Sequence, residues 1–372
     1  MFLEYISLQN FRNYRQQEVS FNTALNLLVG ENAQGKTNLL EAVYYLLTCR
    51  SFRTETDREM AAWESGSFYL KGAVQQQAGR KLAEIGFQTP SKLQIKINGA
   101  VVQKRSHLFR FPVVFFGPDD LCLVKEGPAI RRRYLDLVGS RAEPQYYRIL
   151  KDYHRVLRQR NRVIKEKRFT VSFKKNLEIW NEPLVGLGSK LIKQRISLLN
   201  RLGVWCKELF FNLYSKSQVL TLQYMCTVDH HGDLDNLAGH FYRQLCLKQA
   251  EEEIRGYTLL GPHLDDFNIS LNHRLAKVYS SQGQQRVAAL ALKIGEIQLL
   301  EFISQEKPVL LLDDVFSELD FERRGQLLNF LKNKGMQTVI TTVVPLEQLL
   351  PSRDNPGRIF SVREGRVVET AP

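Results

Sequence analysis

Long apolar runs are missing from this chain of 372 residues: no stretch stays hydrophobic far enough to span a bilayer, and no membrane partnership is expected. The first residues, Met-Phe-Leu-Glu-Tyr, carry an acid early and lack the layout of a secretory signal. Cysteine is scarce. Its five copies (Cys49, Cys122, Cys206, Cys226 and Cys246) are odd in number and scattered, which argues against a disulfide framework and for a reduced cytoplasmic protein. Cys226 with His230 and His231 offers only three clustered ligands, too few for a structural zinc site, and none is assigned. Internal repeats and low-complexity tracts are also absent, so solenoids and disordered tails are set aside. Acid is in short supply. Against 52 Lys and Arg stand 39 Asp and Glu, a formal charge of +13 that favours a polyanionic partner, nucleic acid or a membrane surface. The hydrophobic fraction, 44%, is that of a globular protein with one large or two ordinary domains.

What is present is more specific. Residues 30 to 37 read Gly-Glu-Asn-Ala-Gln-Gly-Lys-Thr, a complete Gly-x-x-x-x-Gly-Lys-Thr phosphate loop. It follows an apolar strand-like run, residues 24 to 29, and opens a helix-like one, 38 to 47, the context the motif needs. Gly30 and Gly35 let the backbone curl, so that the N–H groups of the loop (Gly30, Glu31, Asn32, Ala33, Gln34, Gly35) can face phosphate oxygens beside a helix start. Lys36 is expected to reach the β- and γ-phosphates of ATP, and the Thr37 hydroxyl to sit on Mg²⁺. The four fixed positions coincide by chance in roughly one chain of this length per hundred.

The far end supplies the complement. Pro308 precedes Val-Leu-Leu-Leu-Asp-Asp-Val-Phe-Ser-Glu-Leu-Asp, residues 309 to 320. Four apolar residues ending in acid predict a buried parallel strand whose carboxylate emerges at its C-terminal edge. Asp313 is the candidate second ligand of Mg²⁺, and Asp314 the candidate catalytic group that orients the attacking water. Residues 280 to 286, Ser-Ser-Gln-Gly-Gln-Gln-Arg, open an apolar helical segment. Alone this reads as a capped helix. In this order, after a phosphate loop and before a strand ending in Asp, it has the layout of ABC-type ATPase heads. That resemblance implies a homodimer with ATP at its interface, in which Ser281, Gly283 and Gln284 contact the nucleotide of a second subunit.

Further segments resemble the RecF family of bacterial recombination-mediator ATPases: residues 8 to 14, Leu-Gln-Asn-Phe-Arg-Asn-Tyr; 49 to 54, Cys-Arg-Ser-Phe-Arg-Thr; 116 to 121, Phe-Gly-Pro-Asp-Asp-Leu, followed by Arg131, Arg132 and Arg133; and 261 to 266, Gly-Pro-His-Leu-Asp-Asp. Leu264 and Phe52 depart from the usual Arg and His. The resemblance runs to about residue 342. It implies action on DNA at single-strand gaps, RecO and RecR as partners in loading RecA, and an ATPase that acts as a switch. Three other readings are weighed. An SMC-like head needs long heptad arms between its motif blocks, and the intervening stretch is short and irregular. A transporter ATPase is opposed by the charge, the altered signature and Thr341-Thr342 where a switch histidine would stand. A nuclease or helicase lacks a second carboxylate constellation.

The expected fold is α/β: an ABC-type P-loop ATPase head built from N- and C-terminal blocks, residues 1 to 122 and 255 to 372, with a helix-rich inserted domain, 123 to 254. Within the insertion, Tyr146, Ile149, Tyr153, Val156, Leu157 and Ile164 recur at helical spacing. Arg148, Lys151, Arg155, Arg158, Arg162 and Lys165 recur on the opposite arc, with Arg160 stranded on the apolar side. A solvated helix face normally mixes signs, whereas residues 151 to 175 hold ten bases and two acids, so the stripe is a candidate DNA contact. A second amphipathic helix is expected from about Leu184 to Leu213, starting at Asn181-Glu182-Pro183.

Overall fold

The computed structural model describes residues 1–103, 111–167, 173–213, 217–318, 321–343 and 357–370. Leu319 and Asp320, which end the Ser-Glu-Leu-Asp run, lie outside the described residues. Two compact units are formed, one from Met1–Asp120, Asn212–Tyr214 and Leu290–Pro372, the other from Leu121–Phe211 and Ser215–Ala289.

The first unit holds two six-stranded sheets. One runs in the order Arg366–Thr370, Arg358–Arg363, Leu25–Val29, Thr338–Thr342, Val309–Asp313, Val113–Phe116. Every neighbouring pair is parallel except the outer hairpin. The strands Val309–Asp313 and Thr338–Thr342 are buried at every residue, which is why they read as unbroken apolar or small-residue runs. The other sheet is antiparallel, in the order Tyr14–Ser20, Phe2–Phe11, Ser67–Gln76, Gly79–Gln88, Lys92–Ile97, Ala100–Val101. Helix Lys36–Thr48 joins both sheets in one core: Leu39, Leu40, Val43, Leu46 and Leu47 cluster with Leu3, Ile6 and Leu8 of one sheet and Val309, Leu311 and Val339 of the other. Truncating one such leucine costs about 2–5 kcal/mol through lost transfer energy and the cavity left behind. The sheet pairing thus fixes where the helix can begin, and with it the phosphate loop.

The second unit is mainly helical, with Pro128–Ala142, Pro144–Lys167, Phe173–Leu213 and Leu237–Leu247 its longer helices. A three-stranded antiparallel sheet, Arg274–Leu275, Asp266–Leu271, Leu220–Met225, accompanies them. Because Leu220–Met225 pairs with Asp266–Leu271, residues between 255 and 289 belong to this unit rather than to the head block that the sequence pattern assigns them. The helix expected to start at Pro183 starts instead at Phe173 and carries Pro183 inside it. Proline removes the hydrogen bond to the carbonyl four residues earlier. Here both Pro183 and Ile179 are exposed, so water can take the orphaned carbonyl and the helix continues. Among the described residues no helix is long and apolar enough to cross a membrane.

Arg160, the base on the apolar side of its helix, is wholly buried. Its guanidinium donates to Glu252 at 2.7 Å, Asn181 at 3.0 Å and Thr258 at 2.7 Å. Removing one partner of such a pair strands a buried charge, at about 3–5 kcal/mol. Arg195 likewise spans Asp136 with two nitrogens and donates to the Pro262 carbonyl. His263 completes this interior: Nε2 lies 3.2 Å from the Thr258 carbonyl, an acceptor, so Nε2 donates there and Nδ1 accepts from the Tyr153 hydroxyl at 2.7 Å.

Burial pushes the His263 imidazole down to about 4, so it is neutral in the folded chain. The unfolded chain, with a pKa of about 6.5, takes up a proton that the folded one excludes. The stability contributed is therefore intact above about pH 6.5 and is lost as pH falls toward 4. Wild type should lose about 2 kcal/mol more between pH 7 and pH 4.5 than His263→Gln, which keeps a donor and an acceptor but cannot titrate. Denaturant midpoints at pH 7 and pH 4.5 measure the difference, and parallel pH slopes for the two proteins would sink the assignment.

Candidate nucleotide site

The phosphate loop lies in the first unit, between strand Leu25–Val29 and helix Lys36–Thr48. Two of its residues adopt positive φ, Ala33 at 64° and Gly35 at 114°. At Gly35 the requirement is also steric, because a Cβ would fall 2.6 Å from Asn13 Nδ2. Lys36 Nζ reaches back across the loop to the carbonyls of Gly30 and Glu31, each at 2.6 Å. Burial lowers its pKa, opposed by the negative charges of Asp314 and Asp313.

Parallel registry brings the far end of the chain to this loop. Asp313 pairs with Thr341 across adjacent strands, and both stand at the C-terminal edge of the sheet, where open α/β sheets bind ligands. The Thr37 hydroxyl donates to the Asp313 carboxylate, 2.9 Å from each oxygen. Thr341 Oγ1 donates to Asp313 Oδ1 at 2.7 Å and accepts from the Asp314 backbone N–H at 2.9 Å. Burial raises the Asp313 pKa, while the Thr341 and Thr37 hydrogen bonds work against that rise. Asp314 leaves the strand at a φ of 49°, a left-handed conformation that Asp tolerates better than most residues. A hydroxyl and a carboxylate at this separation are hard oxygen donors that one Mg²⁺ ion could share, so the residues fit the cation. When bound, the ion would neutralise charge on the β- and γ-phosphate oxygens.

Thus Lys36, Thr37 and Asp313 meet in one place, and Asp314 adjoins them. The candidates Ser281, Gly283 and Gln284 belong to the second unit. There Gln284 N–H donates to Ser281 Oγ at 3.3 Å and Ser281 N–H to Gln284 Oε1 at 2.8 Å, a reciprocal capping box that opens helix Gln282–Ser304. The basic stripe Arg148, Lys151, Arg155, Arg158, Arg162 and Lys165 is exposed along its helix. Two members have acidic neighbours on the same helix, Arg155 with Asp152 at 3.2 Å and Arg162 with Glu166 at 2.8 Å, yet their side chains remain 69% and 68% exposed. Arg131, by contrast, is buried and held bidentately by Asp266, a structural pairing rather than a surface for DNA.

Sequence reasoning missed the outer support of the loop. Asn13 and Tyr14 from the first β-hairpin, and Glu364 and Gly365 from the last, all hydrogen-bond to Gln34 or Gly35. The Asn-Phe-Arg-Asn-Tyr spelling near the start was the available signal. Its Arg12 also has a role, gripping the wholly buried Glu41 of the phosphate-loop helix with two nitrogens, each at 2.8 Å.

A phosphate loop on a parallel sheet, with its hydroxyl against a strand-end aspartate, defines a P-loop ATPase head of the ABC and SMC type. Residues 2–367 match the family model described as RecF/RecN/SMC N terminal domain. The DNA replication and repair protein RecF of Acetivibrio thermocellus is 38% identical over 92% of this chain and 93% of its own. That of Clostridium perfringens is 36% identical over 99% of both. A solved structure of the recombination mediator protein RecF with ATP, described as part of the RecFOR pathway, superposes with a TM-score of 0.90 at 33% identity, covering 100% of this chain and 98% of the other. An Smc head domain from Pyrococcus furiosus, at 15% identity, 100% and 96% coverage and a TM-score of 0.58, shares the fold. The chain belongs to the RecF family.

The Lys36 ammonium hydrogen-bonds to carbonyls of its own loop, so Lys36→Ala should leave the fold intact and weaken ATP binding at least tenfold, the loss of about 1.4 kcal/mol or more from a charge-assisted contact. Equilibrium nucleotide titration measures this; unchanged affinity would remove the assignment.

Proposed function

We propose that this chain is an ATP-binding DNA replication and repair protein in which ATP gates a dimer that clamps DNA. The observation that carries this reading is the meeting of Thr37 and Asp313, 276 residues apart in sequence, at 2.9 Å beside the phosphate loop. ATP with Mg²⁺ is the cofactor this donor set fits, with Lys36 and the loop N–H groups on the phosphates and Thr37 and Asp313 on the cation. Asp314 orients the attacking water. It is a shorter carboxylate than Glu, and threonines stand where a switch histidine would back the γ-phosphate, so hydrolysis is slow and serves as a timer.

In the dimer, Ser281, Gly283 and Gln284 of one subunit complete the ATP site of the other. The exposed Ser281 at a helix start supports that role, since its hydroxyl and the first-turn amides suit an anion. DNA lies against the stripe from Arg148 to Lys165. Duplex, single strand and gap junction are all candidate ligands, and the relatives' names and the RecFOR pathway support a place in gap repair with RecO and RecR, in loading the recombinase RecA. Binding to gapped, duplex and single-stranded oligonucleotides, with and without ATP across a salt series, tests the reading as a whole.

Two outcomes are specific to it. Ser281→Arg should bind ATP yet stay monomeric, while Asp314→Asn should retain ATP and lengthen the life of the dimer. Light scattering that finds one oligomeric state, with nucleotide or without, would refute ATP-driven dimerisation. For DNA, changing Arg155, Arg158 and Arg162 to Glu should weaken binding to all sequences alike. The slope of log affinity against log salt should fall by about one unit per lost phosphate contact. ATP should raise DNA affinity in the wild type by bringing two stripes to one duplex. A triple variant with wild-type affinity and salt slope would return the stripe to an ordinary solvated face.

A further inference from the structure

Three of the outer supports of the phosphate loop act on the carbonyl oxygens of two consecutive peptide groups. The oxygen of Gln34 accepts from Gly365 N–H at 3.0 Å and from Asn13 Nδ2 at 3.2 Å. The oxygen of Gly35 accepts from the buried Tyr14 hydroxyl at 2.9 Å, besides the helical bond from Leu39 N–H at 3.0 Å. In a planar trans peptide the C=O and N–H point in opposite directions. Fixing the oxygen of Gln34 therefore aims the N–H of Gly35 away from Asn13 and the hairpin. Fixing the oxygen of Gly35 does the same for the N–H of Lys36. Left alone, a Gly-flanked peptide can flip, since glycine tolerates both signs of φ.

We infer that Asn13 and Tyr14 are positioning residues for nucleotide: with Gly365 they clamp the outer oxygens of residues 34 and 35, so that the amides of Gly35 and Lys36 are presented to phosphate before it arrives. Two further hydrogen bonds and one close approach brace the clamp. Asn13 Oδ1 accepts from Asn38 Nδ2 at 2.8 Å, which sets the Asn13 amide so that its nitrogen faces Gln34. Gln34 Oε1 accepts from Glu364 N–H at 2.8 Å, a second tie to the same hairpin turn. At Gly365, with φ 73°, a Cβ would lie 2.4 Å from the Asn13 carbonyl oxygen, so only glycine lets this turn close on the turn of the first hairpin. Tyr14 is deeply buried, which raises its pKa, and its hydroxyl keeps the proton it donates. Preorganised donors bind an anion more tightly because no reorientation is needed on binding.

The inference rests on the nucleotide reading, and one set of titrations separates the two. ATP and ADP are titrated into wild type, Asn13→Ala, Tyr14→Phe, the double variant and Lys36→Ala, and each protein is melted without nucleotide. Asn13 is exposed, and Gly35 keeps its helical bond in Tyr14→Phe, so both single variants should fold. Each should weaken ATP and ADP by the same factor, about fivefold, because the aimed amides meet phosphates that both ligands carry. The double variant should approach the product, and melting temperatures should not fall in step. Lys36→Ala should penalise ATP more than ADP. Wild-type affinity in Asn13→Ala and Tyr14→Phe, with Lys36→Ala still impaired, overturns the clamp and leaves the nucleotide site standing. Affinity losses that track lost thermal stability reduce the pair to a structural role. Wild type that binds neither nucleotide overturns both readings together.

Discussion

Asp313 takes hydrogen bonds from Thr37 and Thr341, and the architecture of the first unit follows from having to bring these three residues together. Thr37 opens a helix that starts just past strand Leu25–Val29, while Asp313 and Thr341 stand near the ends of two strands made roughly 270 to 300 residues later. Only a parallel sheet that places the early strand beside the late ones puts all three at one edge. The apolar strands secure that edge, and the desolvated Asp313 carboxylate is tolerable because two hydroxyls satisfy it. Burial of its neighbour Lys36 follows the same rule: a charge is withdrawn from water where backbone carbonyls and nearby carboxylates receive it.

The reader of the sequence could see this pair of motifs because each has a local cause. A glycine-framed loop before a helix, and an apolar run ending in acid, are written in consecutive residues. What joins distant segments was harder to read. The Asn-Phe-Arg-Asn-Tyr spelling marks Asn13 and Tyr14 without saying what they touch, and Glu364 and Gly365 carry no local signature, since the contact with Gln34 and Gly35 exists only once the first and last hairpins stand beside the loop. The reach of the second unit to Ala289 was hidden for the same reason: strand Leu220–Met225 gives no hint of which later segment it will pair with. Pro183 misled for a different cause. Local propensity marked a helix start, and tertiary packing of Leu177 and Leu184 on either side carried the helix through.

Charge is used in two ways in the second unit. Arg131, Arg160 and Arg195 are buried, each tied to a carboxylate, and hold helices and loops in register. Removal of Arg160 would leave the wholly buried Glu252 without its counter-charge, and removal of Arg131 or Arg195 would do the same to a half-buried aspartate, so these bases are bound to the fold. The bases of the helical stripe stand on the same helix as Arg160 and differ only in the side they face, yet they keep their long side chains in water. A count of arginines cannot separate the two groups. The phase of each residue on its helix can, and it did so for Arg160.

The separation of Thr37 and Asp313 by 276 residues has a consequence for how the protein comes into being. A ribosome adding about 5–20 residues each second exposes the phosphate-loop helix for on the order of tens of seconds before strands Val309–Asp313 and Thr338–Thr342 exist to cover it. During that interval Leu39, Leu40 and Leu47 have the antiparallel sheet and the early strands Leu25–Val29 and Val113–Phe116 to lie against, and lack the later strands that complete the core. The inserted unit, drawn from Leu121–Phe211 and Ser215–Ala289, is complete in sequence before those strands are made and can fold first. The pairing of Thr37 with Asp313 cannot form in the nascent chain until the last strands are made. A product truncated before residue 309 would therefore lack that pairing and be exposed along its core, a ready substrate for chaperones and proteases.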